Sequence, residues 1–454
     1  MQRLLISTLA EYQTTFWVEV GVYLTAAGHD VTFLSFDDRS TEMLRARGCR
    51  VHSATSIPAL PDNQVEHLFS QFGIDRLNHW LSHERFAFDI GDGAVLRRKL
   101  AAALQAADDA CKDVLSRGPA VMIQELGGFL SVIGAFHAAR ANGMDNWFIE
   151  PSFFRGRLFF LRNSFMAPRV PDDHSWPVPD ELRHYLDDTL RSGAIVVPQK
   201  DRHQYTTAWK KIVNLRNARR LIEKLVDKHW HGKRQEFGHI GSHVRTHARM
   251  LWNSRRLRSC YTPLDVAGRF VYYPLHVPGD MALTLRTPHL LDQLSLVDQI
   301  CRSVPASHRV AIKEHPAMVG AVDASRLLGL KRRYDNLVVL PPSTNNYAVL
   351  RRCDAVVSIN SKSGAEGALI GKPVIVLGDA FYTDSPVVRT VDRVQDLPSA
   401  LANALVGGAV GAESTVVERY LAAVWKRSHP GELYVPEPTN VARFSQSLLT
   451  AMAA

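Results

Sequence analysis

Between Arg309 and Asp384 the chain alternates four short apolar runs, rich in β-branched residues (Val310 to Ile312, Leu337 to Leu340, Ala355 to Ile359, Pro373 to Leu377), with segments of helical pattern. A strand buried on both faces is apolar throughout, and a parallel neighbour needs a crossover helix, so this alternation predicts βαβ units around a parallel sheet. Such sheets bind ligands at the carboxyl ends of their strands. Polar residues fall at those ends: Lys313, Glu314 and His315 after the first run, Pro342 to Asn345 (with Ser343 and Thr344) after the second, Asn360 to Gly364 after the third, and Gly378 to Tyr382 after the fourth.

The third run leads into Ser361, Ser363 and Gly364 and then a helix predicted over Ala365 to Ile370. Hydroxyls and unpaired backbone N–H groups at a helix start suit an anion, and a phosphate fits that description. Glu366, in the first turn, either caps the helix or accepts hydrogen bonds from a ribose diol. Each piece also has a plainer reading. S-x-S-G before a helix is a common N-cap, and His315 before Pro316 can simply end a strand. Four consecutive strands ending in polar or glycine-rich turns exceed what one cap requires.

The segments K-E-H-P, S-I-N-S-K-S-G-A-E-G-A-L-I-G-K-P-V-I-V-L-G-D-A-F-Y and, upstream, F-V-Y-Y-P-L-H-V-P-G-D resemble the capsule polysaccharide biosynthesis and export proteins. That group includes bacterial β-Kdo transferases of GT-B-like fold. The H-P and paired-serine elements are also similar to those of bacterial sialyl- and polysialyltransferases, which use CMP-sugars. The match runs from Phe270 to Tyr382. It implies an α/β protein with two Rossmann-like domains facing a cleft. It also implies a donor nucleotide held by Lys313, His315, Pro316, Ser343, Thr344, Asn360, Ser361, Lys362, Ser363, Gly364 and Glu366. Asp280, after H-V-P-G, corresponds to the nucleophile of the resembling retaining β-Kdo transferases; as a residue alone it is equally a turn former. His276 stands where family members often carry Gln.

Glu125 and Glu150 follow two consecutive predicted strands, where an interdomain cleft opens. Either is a candidate acid/base carboxylate, or caps a helix, or pairs with Arg155 or Arg157. The resembling transferases draw their acid/base residue from the N-terminal domain, and E-P-S-F-F-R-G favours Glu150 over Glu125.

At 454 residues the chain exceeds one core. The expected division is an N-terminal Rossmann-like acceptor domain (1–168), a basic helical insertion (169–265), a nucleotide-sugar-binding domain (266–392) and C-terminal helices that pack back (393–454). Leu4 to Ser7 reads as the first strand, E-Y-Q-T-T as a turn and Phe16 to Ala27 as a helix, and Pro288 to Val304 reads as a helix in the second half. This opening lacks G-x-G-x-x-G, so it does not support dinucleotide binding. Asp37 and Asp38 read as exposed loop acids rather than a metal pair, and without a D-x-D no metal or other cofactor is expected. The aromatic, histidine-bearing stretch from Asp62 to Gly91 is either an acceptor loop or buried packing. Five scattered cysteines and no apolar span predict a reducing, cytoplasmic setting.

The net charge of +9 is local: residues 200–258 hold 16 Lys and Arg against four acids. A basic amphipathic segment there can lie on anionic lipid, hold a polyanionic glycan or be a solvated face; nucleic acid ranks below all three. The expected function is transfer of an acidic sugar, Kdo or a related ulosonate, from a CMP donor to a glycan or lipid-linked acceptor. The alternatives are a UDP- or GDP-hexose transferase, a nucleotide-sugar 2-epimerase and a non-catalytic assembly or export factor.

Overall fold

The apolar runs pair into two sheets. In the computed structural model, which describes residues 1–56, 60–171, 177–194, 223, 226–227, 230–406 and 411–453, the first sheet contains β1 (Arg3–Thr8), β2 (Asp30–Ser35), β3 (Arg50–Ser53), β4 (Val121–Glu125), β5 (Asp145–Pro151) and β6 (Arg157–Arg162). The second contains β7 (Phe270–Pro274), β8 (Arg309–Lys313), β9 (Leu337–Leu340), β10 (Ala355–Ser358), β11 (Val374–Val376) and β12 (Arg389–Thr390), and β13 (His429–Pro430) returns to the edge of the first. The orders are β13-β6-β5-β4-β1-β2-β3 and β12-β11-β10-β7-β8-β9. The second sheet is parallel throughout, and the first is parallel except at β6 and β13. In each, the chain winds outward from a central strand and then crosses to its other side. The switch points lie between β1 and β4 and between β7 and β10, where doubly wound folds open their ligand crevices.

The helices of the first half are α1 (Glu11–Ala26), α2 (Asp38–Ala46), α3 (Asp62–Gln71), α4 (Leu77–Phe88), α5 (Gly93–Ser116) and α6 (Leu130–Ala141). α7 (Asp180–Ser192) and α8 (Ile240–Leu257) lie in the connection. The second half holds α9 (Met281–Thr284), α10 (Gln293–Ser303), α11 (Ala324–Arg333), α12 (Asn346–Arg352), α13 (Lys362–Leu369) and α14 (Leu397–Val406), followed by α15 (Ser414–Arg427) and α16 (Pro438–Ala453). α16 packs on α1, where Phe444 meets Phe16 and Trp17 edge-on at 5.0 and 5.6 Å.

Three local expectations are corrected. The E-Y-Q-T-T segment is the first turn of α1 instead of a loop, because its polar side chains serve the strand-to-helix junction: Gln13 accepts from the Leu9 N–H at 2.9 Å, and the Thr14 hydroxyl bonds that of Thr8 at 2.7 Å. Asp37 is buried, not exposed, and caps α2 by accepting from Ser40 N at 2.9 Å. Burial holds its carboxyl above the usual range, against the Ser40 hydrogen bonds. The Pro288 to Val304 helix is split into a 3₁₀ turn at Pro288–Leu290 and α10, which Asp292 caps. The stretch from Asp62 to Gly91 resolves in favour of packing, with Val65, Phe69, Phe72, Trp80 and Phe88 buried on α3, α4 and the turn between them. Most of the basic run at 200–229 lies outside the described residues.

Candidate active site

The ends of β7, β8, β10 and β11 meet the β5–β6 hairpin around a cavity of about 500 Å³. β7 ends in Pro274, Leu275 and His276, and the next turn delivers Asp280. Gly279 makes that turn possible: its φ is +79°, and a Cβ there would stand 3.0 Å from the Ala87 backbone of α4 in the other half. Asp280 lines the cavity and caps the short α9, accepting from Ala282 N at 3.0 Å. Asn360, at the end of β10, donates to the Ala282 carbonyl at 2.6 Å and so ties α9 to the second sheet. Burial pushes the neighbouring His276 imidazole down to about 4, so it is neutral at pH 7. Gln293 bonds both its backbone N–H and its carbonyl.

Lys313, the last residue of β8, is buried and lines the cavity, and its ammonium donates to the Thr344 carbonyl at 3.0 Å. His315 caps the 3₁₀ turn Pro316–Met318, its Nδ1 accepting from Ala317 N at 3.3 Å. With Nδ1 as acceptor, the neutral ring carries its proton on Nε2. Glu314 pins this loop by accepting from Gly320 N at 2.9 Å and the Tyr261 hydroxyl at 3.1 Å.

α13 starts where the paired serines predict, three residues before the expected Ala365. Ser361 is its N-cap, accepting from Ser363 N at 3.2 Å. Asn346 of α12 is the hub behind it: its amide donates to Ser363 Oγ at 3.0 Å and Glu366 Oε2 at 2.7 Å, and its oxygen accepts from the Tyr272 hydroxyl at 2.9 Å. Glu366 is therefore not a cap. Burial raises its carboxyl above the usual range, against the Asn346 bond and the Lys362 and Lys313 charges.

Of the residues singled out in sequence, Asp280, Glu150, Lys313, His315, Pro316, Asn360, Ser361, Lys362, Ser363 and Glu366 line this one cavity. Four candidates fall elsewhere. Ser343 and Thr344 follow β9, two strands from the switch point, and are not among its lining residues. Gly364 is also outside the lining: a Cβ there would stand 2.3 Å from the Tyr382 hydroxyl, so the glycine lets α13 approach that buried ring. Gly364→Ala should cost about 1–3 kcal/mol by overpacking, read as a lower urea-unfolding midpoint. Glu125 faces away. It is in register with Ile149, so Glu150, one residue on, projects from the opposite face of the sheet. Glu125 instead accepts from Gln13 at 3.1 Å and from Tyr434.

Glu150 has a partner that sequence does not reveal. Arg286, after α9, grips its carboxylate with two bonds of 3.0 and 2.8 Å, donates to the Phe165 carbonyl at 2.8 Å and approaches Asp379 at 3.9 Å. Asp379, at the end of β11, also pairs with Arg169 at 3.0 Å and accepts from Ala167 N at 2.6 Å. Lys362 donates to the Ser152 carbonyl at 2.9 Å. These bonds hold the two halves together beside the cavity.

Comparison with known proteins adds four findings. The family model for capsule polysaccharide biosynthesis proteins matches residues 134–389. Protein FixF of Sinorhizobium fredii is 32% identical over 151 residues, 33% of this chain and 36% of FixF, so the chain spans about a third of that relative's length. Among solved structures, a β-Kdo 2,7-transferase, KpsC of Thermosulfurimonas dismutans, aligns at TM-score 0.38 and 14% identity over 77% of this chain and 89% of that one. The UDP-GlcNAc 2-epimerase of Neisseria meningitidis aligns at TM-score 0.28 and 10% identity over all of both chains. Superpositions this loose add nothing to the family match. Because that match takes in more than half of the sequence, from α6 through β12, the chain belongs to the capsule polysaccharide biosynthesis protein family.

Proposed function

We propose that the protein is a metal-independent glycosyltransferase that moves an acidic sugar, Kdo or a related ulosonate, from a CMP donor to a glycan or lipid-linked acceptor. One observation carries the reading: Lys313, His315, Ser363 and Asp280, from three separate strand ends, line a single cavity at the β7–β10 switch point. On this reading Lys313, the His315 Nε2–H and the Ser363 hydroxyl bind the donor phosphate, and Glu366 holds the ribose. Fixed donors then meet the charge that develops on the leaving phosphate. The Asp280 carboxylate attacks the anomeric carbon, the bond from that carbon to the phosphate oxygen breaks, and CMP leaves with the electron pair. The acceptor hydroxyl then attacks the same carbon, its proton passes to Glu150, and the ester to Asp280 breaks to restore the carboxylate, giving net retention. A donor anion competing for Arg286 frees Glu150 for that step. A cytoplasmic location accords with the five unpaired cysteines, and among the described residues no helix is long and apolar enough to cross a membrane.

Thermal shift with CMP, UDP and GDP tests the reading, because a nucleotide that binds only the folded state stabilises it by mass action. Stabilisation by CMP supports it. Stabilisation by UDP alone, with free sugar released in the absence of acceptor, supports the epimerase instead, and no response to any nucleotide leaves the binding reading without its ligand. The pH dependence is a second test. Burial pushes the Lys313 ammonium down to about 8, against the attraction of Glu366. A lowered lysine costs the empty fold stability while it is protonated, and that cost is relieved as pH rises from about 8 toward 10.5. A bound phosphate favours the ammonium, so CMP affinity should hold up to about pH 8 and then fall, by up to about tenfold per unit. Lys313→Gln should bind CMP weakly, with a flat profile between pH 7 and 9; a wild-type slope retained in that variant assigns the titration elsewhere.

A further inference from the structure

α8 presents two faces with opposite tasks. Ile240, Met250, Asn253 and Leu257 are buried. At about 100° per residue, the opposite sector carries Val244, Ala248 and Trp252 in line, with Arg245 and Arg255 beside them and, at its edge, Arg249 and Arg256, which bond Asp89 and Ser325; the helix contains no acid. Trp252 is 66% exposed and Val244 53%, and Trp230, before the helix, is 85% exposed. Tryptophan and valine left in water between arginines are unfavourable for a solvated face. They match the headgroup boundary of an anionic bilayer, where indole rings settle and cations are attracted.

The inner face of α8 reaches the loop that carries His315. The Asn253 amide donates to the Gly320 and Val322 carbonyls, both at 3.0 Å. Gly320 has φ +82°, and a Cβ there would lie 2.0 Å from the Met250 carbonyl oxygen, so helix and loop are in backbone contact. Glu314 closes the same loop on Gly320. On its other side α8 touches the end of α4, where His243 packs edge-on to Phe88 at 5.4 Å and Arg249 pairs with Asp89 at 3.3 Å. A shift of this helix therefore moves the His315 loop.

We propose that α8 docks on an anionic lipid surface through Val244, Trp252 and the flanking arginines, and that docking sets the position of the 314–322 loop. The docking stands independently of the donor-site reading; its consequence for transfer rests on that reading. The full chain should co-sediment with vesicles of equimolar phosphatidylcholine and phosphatidylglycerol and not with phosphatidylcholine alone. Each cation near an anionic surface strengthens binding by about fivefold, so Arg245→Gln with Arg255→Gln should weaken partitioning about 25-fold, and Trp252→Ala should weaken it further. Anionic vesicles should slow hydrogen exchange across 314–322 in the wild type. Asn253→Ala should bind vesicles equally and lose that slowing. Partitioning that ignores the arginines, or retention by soluble polysialic acid in place of vesicles, overturns the docking; unchanged loop exchange on bound vesicles overturns the coupling. Vesicle binding by a protein that no nucleotide stabilises leaves the docking intact and removes the donor-site reading.

Discussion

Arg286→Ala should destabilise the protein by about 3–5 kcal/mol, the range for removing one partner of a buried ion pair. The guanidinium is 6% exposed and serves Glu150, 25% exposed, and Asp379, 7% exposed. Deleting it removes the shared cation from both carboxylates. Glu150 regains some water, which points to the lower end of the range, whereas Asp379 keeps Arg169 and the Ala167 N–H. Glu150 lies on β5 and Arg286 follows α9, so the variant also removes a bond between the halves. Urea unfolding should show a lower midpoint. Adding Glu150→Gln should restore part of the loss, since a neutral amide tolerates the site better than an unpaired charge. A midpoint equal to the wild type's would mean that the pair contributes nothing to holding the halves together.

The same pair shows where sequence reading stops. The fold class was legible because each buried parallel strand announces itself locally: Leu337–Leu340 needs no partner to be recognised as β9, and S-K-S-G signals the start of α13. Sheet order is not local. The turn after β9 is as polar as the turn after β10, and only the order β9-β8-β7-β10 reveals that Ser343 and Thr344 stand two strands from the crevice. Ion pairs across 136 residues leave no spacing to read. Arg155 and Arg157 were the obvious partners for Glu150 by proximity, yet Arg157 points to the C-terminal part of the chain, donating to the Ser428 hydroxyl at 2.8 Å and stacking 4.1 Å over Trp425. Gly364 is a further case: a glycine beside serines suggests phosphate, whereas its neighbour is the Tyr382 ring from the next strand end. Tyr272, fully buried on β7, is not among the candidate site residues, yet its hydroxyl anchors the Asn346 hub that places Ser363 and Glu366.

On the proposed double displacement, Asp280→Asn should lower transfer by at least about 10²–10⁴-fold, the range for a group that only moves a proton, because a residue that forms the bond to carbon contributes no less. The substitution separates chemistry from architecture. The Asp280 carboxylate accepts from Ala282 N at 3.0 Å, and the asparagine oxygen can accept the same bond, so α9 keeps its cap and Arg286 its place. Asp280→Ala loses both, at an added cost of about 0.5–2 kcal/mol for a missing N-cap. CMP affinity and the urea midpoint should therefore match the wild type in the asparagine variant and fall only in the alanine variant. With donor and no acceptor, the wild type should gain the mass of one sugar residue on acid quenching, and the asparagine variant should gain none. Transfer by Asp280→Asn within a few fold of wild type would remove the covalent step and leave one displacement with inversion, in which a base such as Glu150 suffices. A fully active alanine variant would go further, because transfer would then need neither the Asp280 carboxylate nor the cap it gives α9, and the donor would be held and cleaved by Lys313, His315 and Ser363 with a base from elsewhere in the cavity.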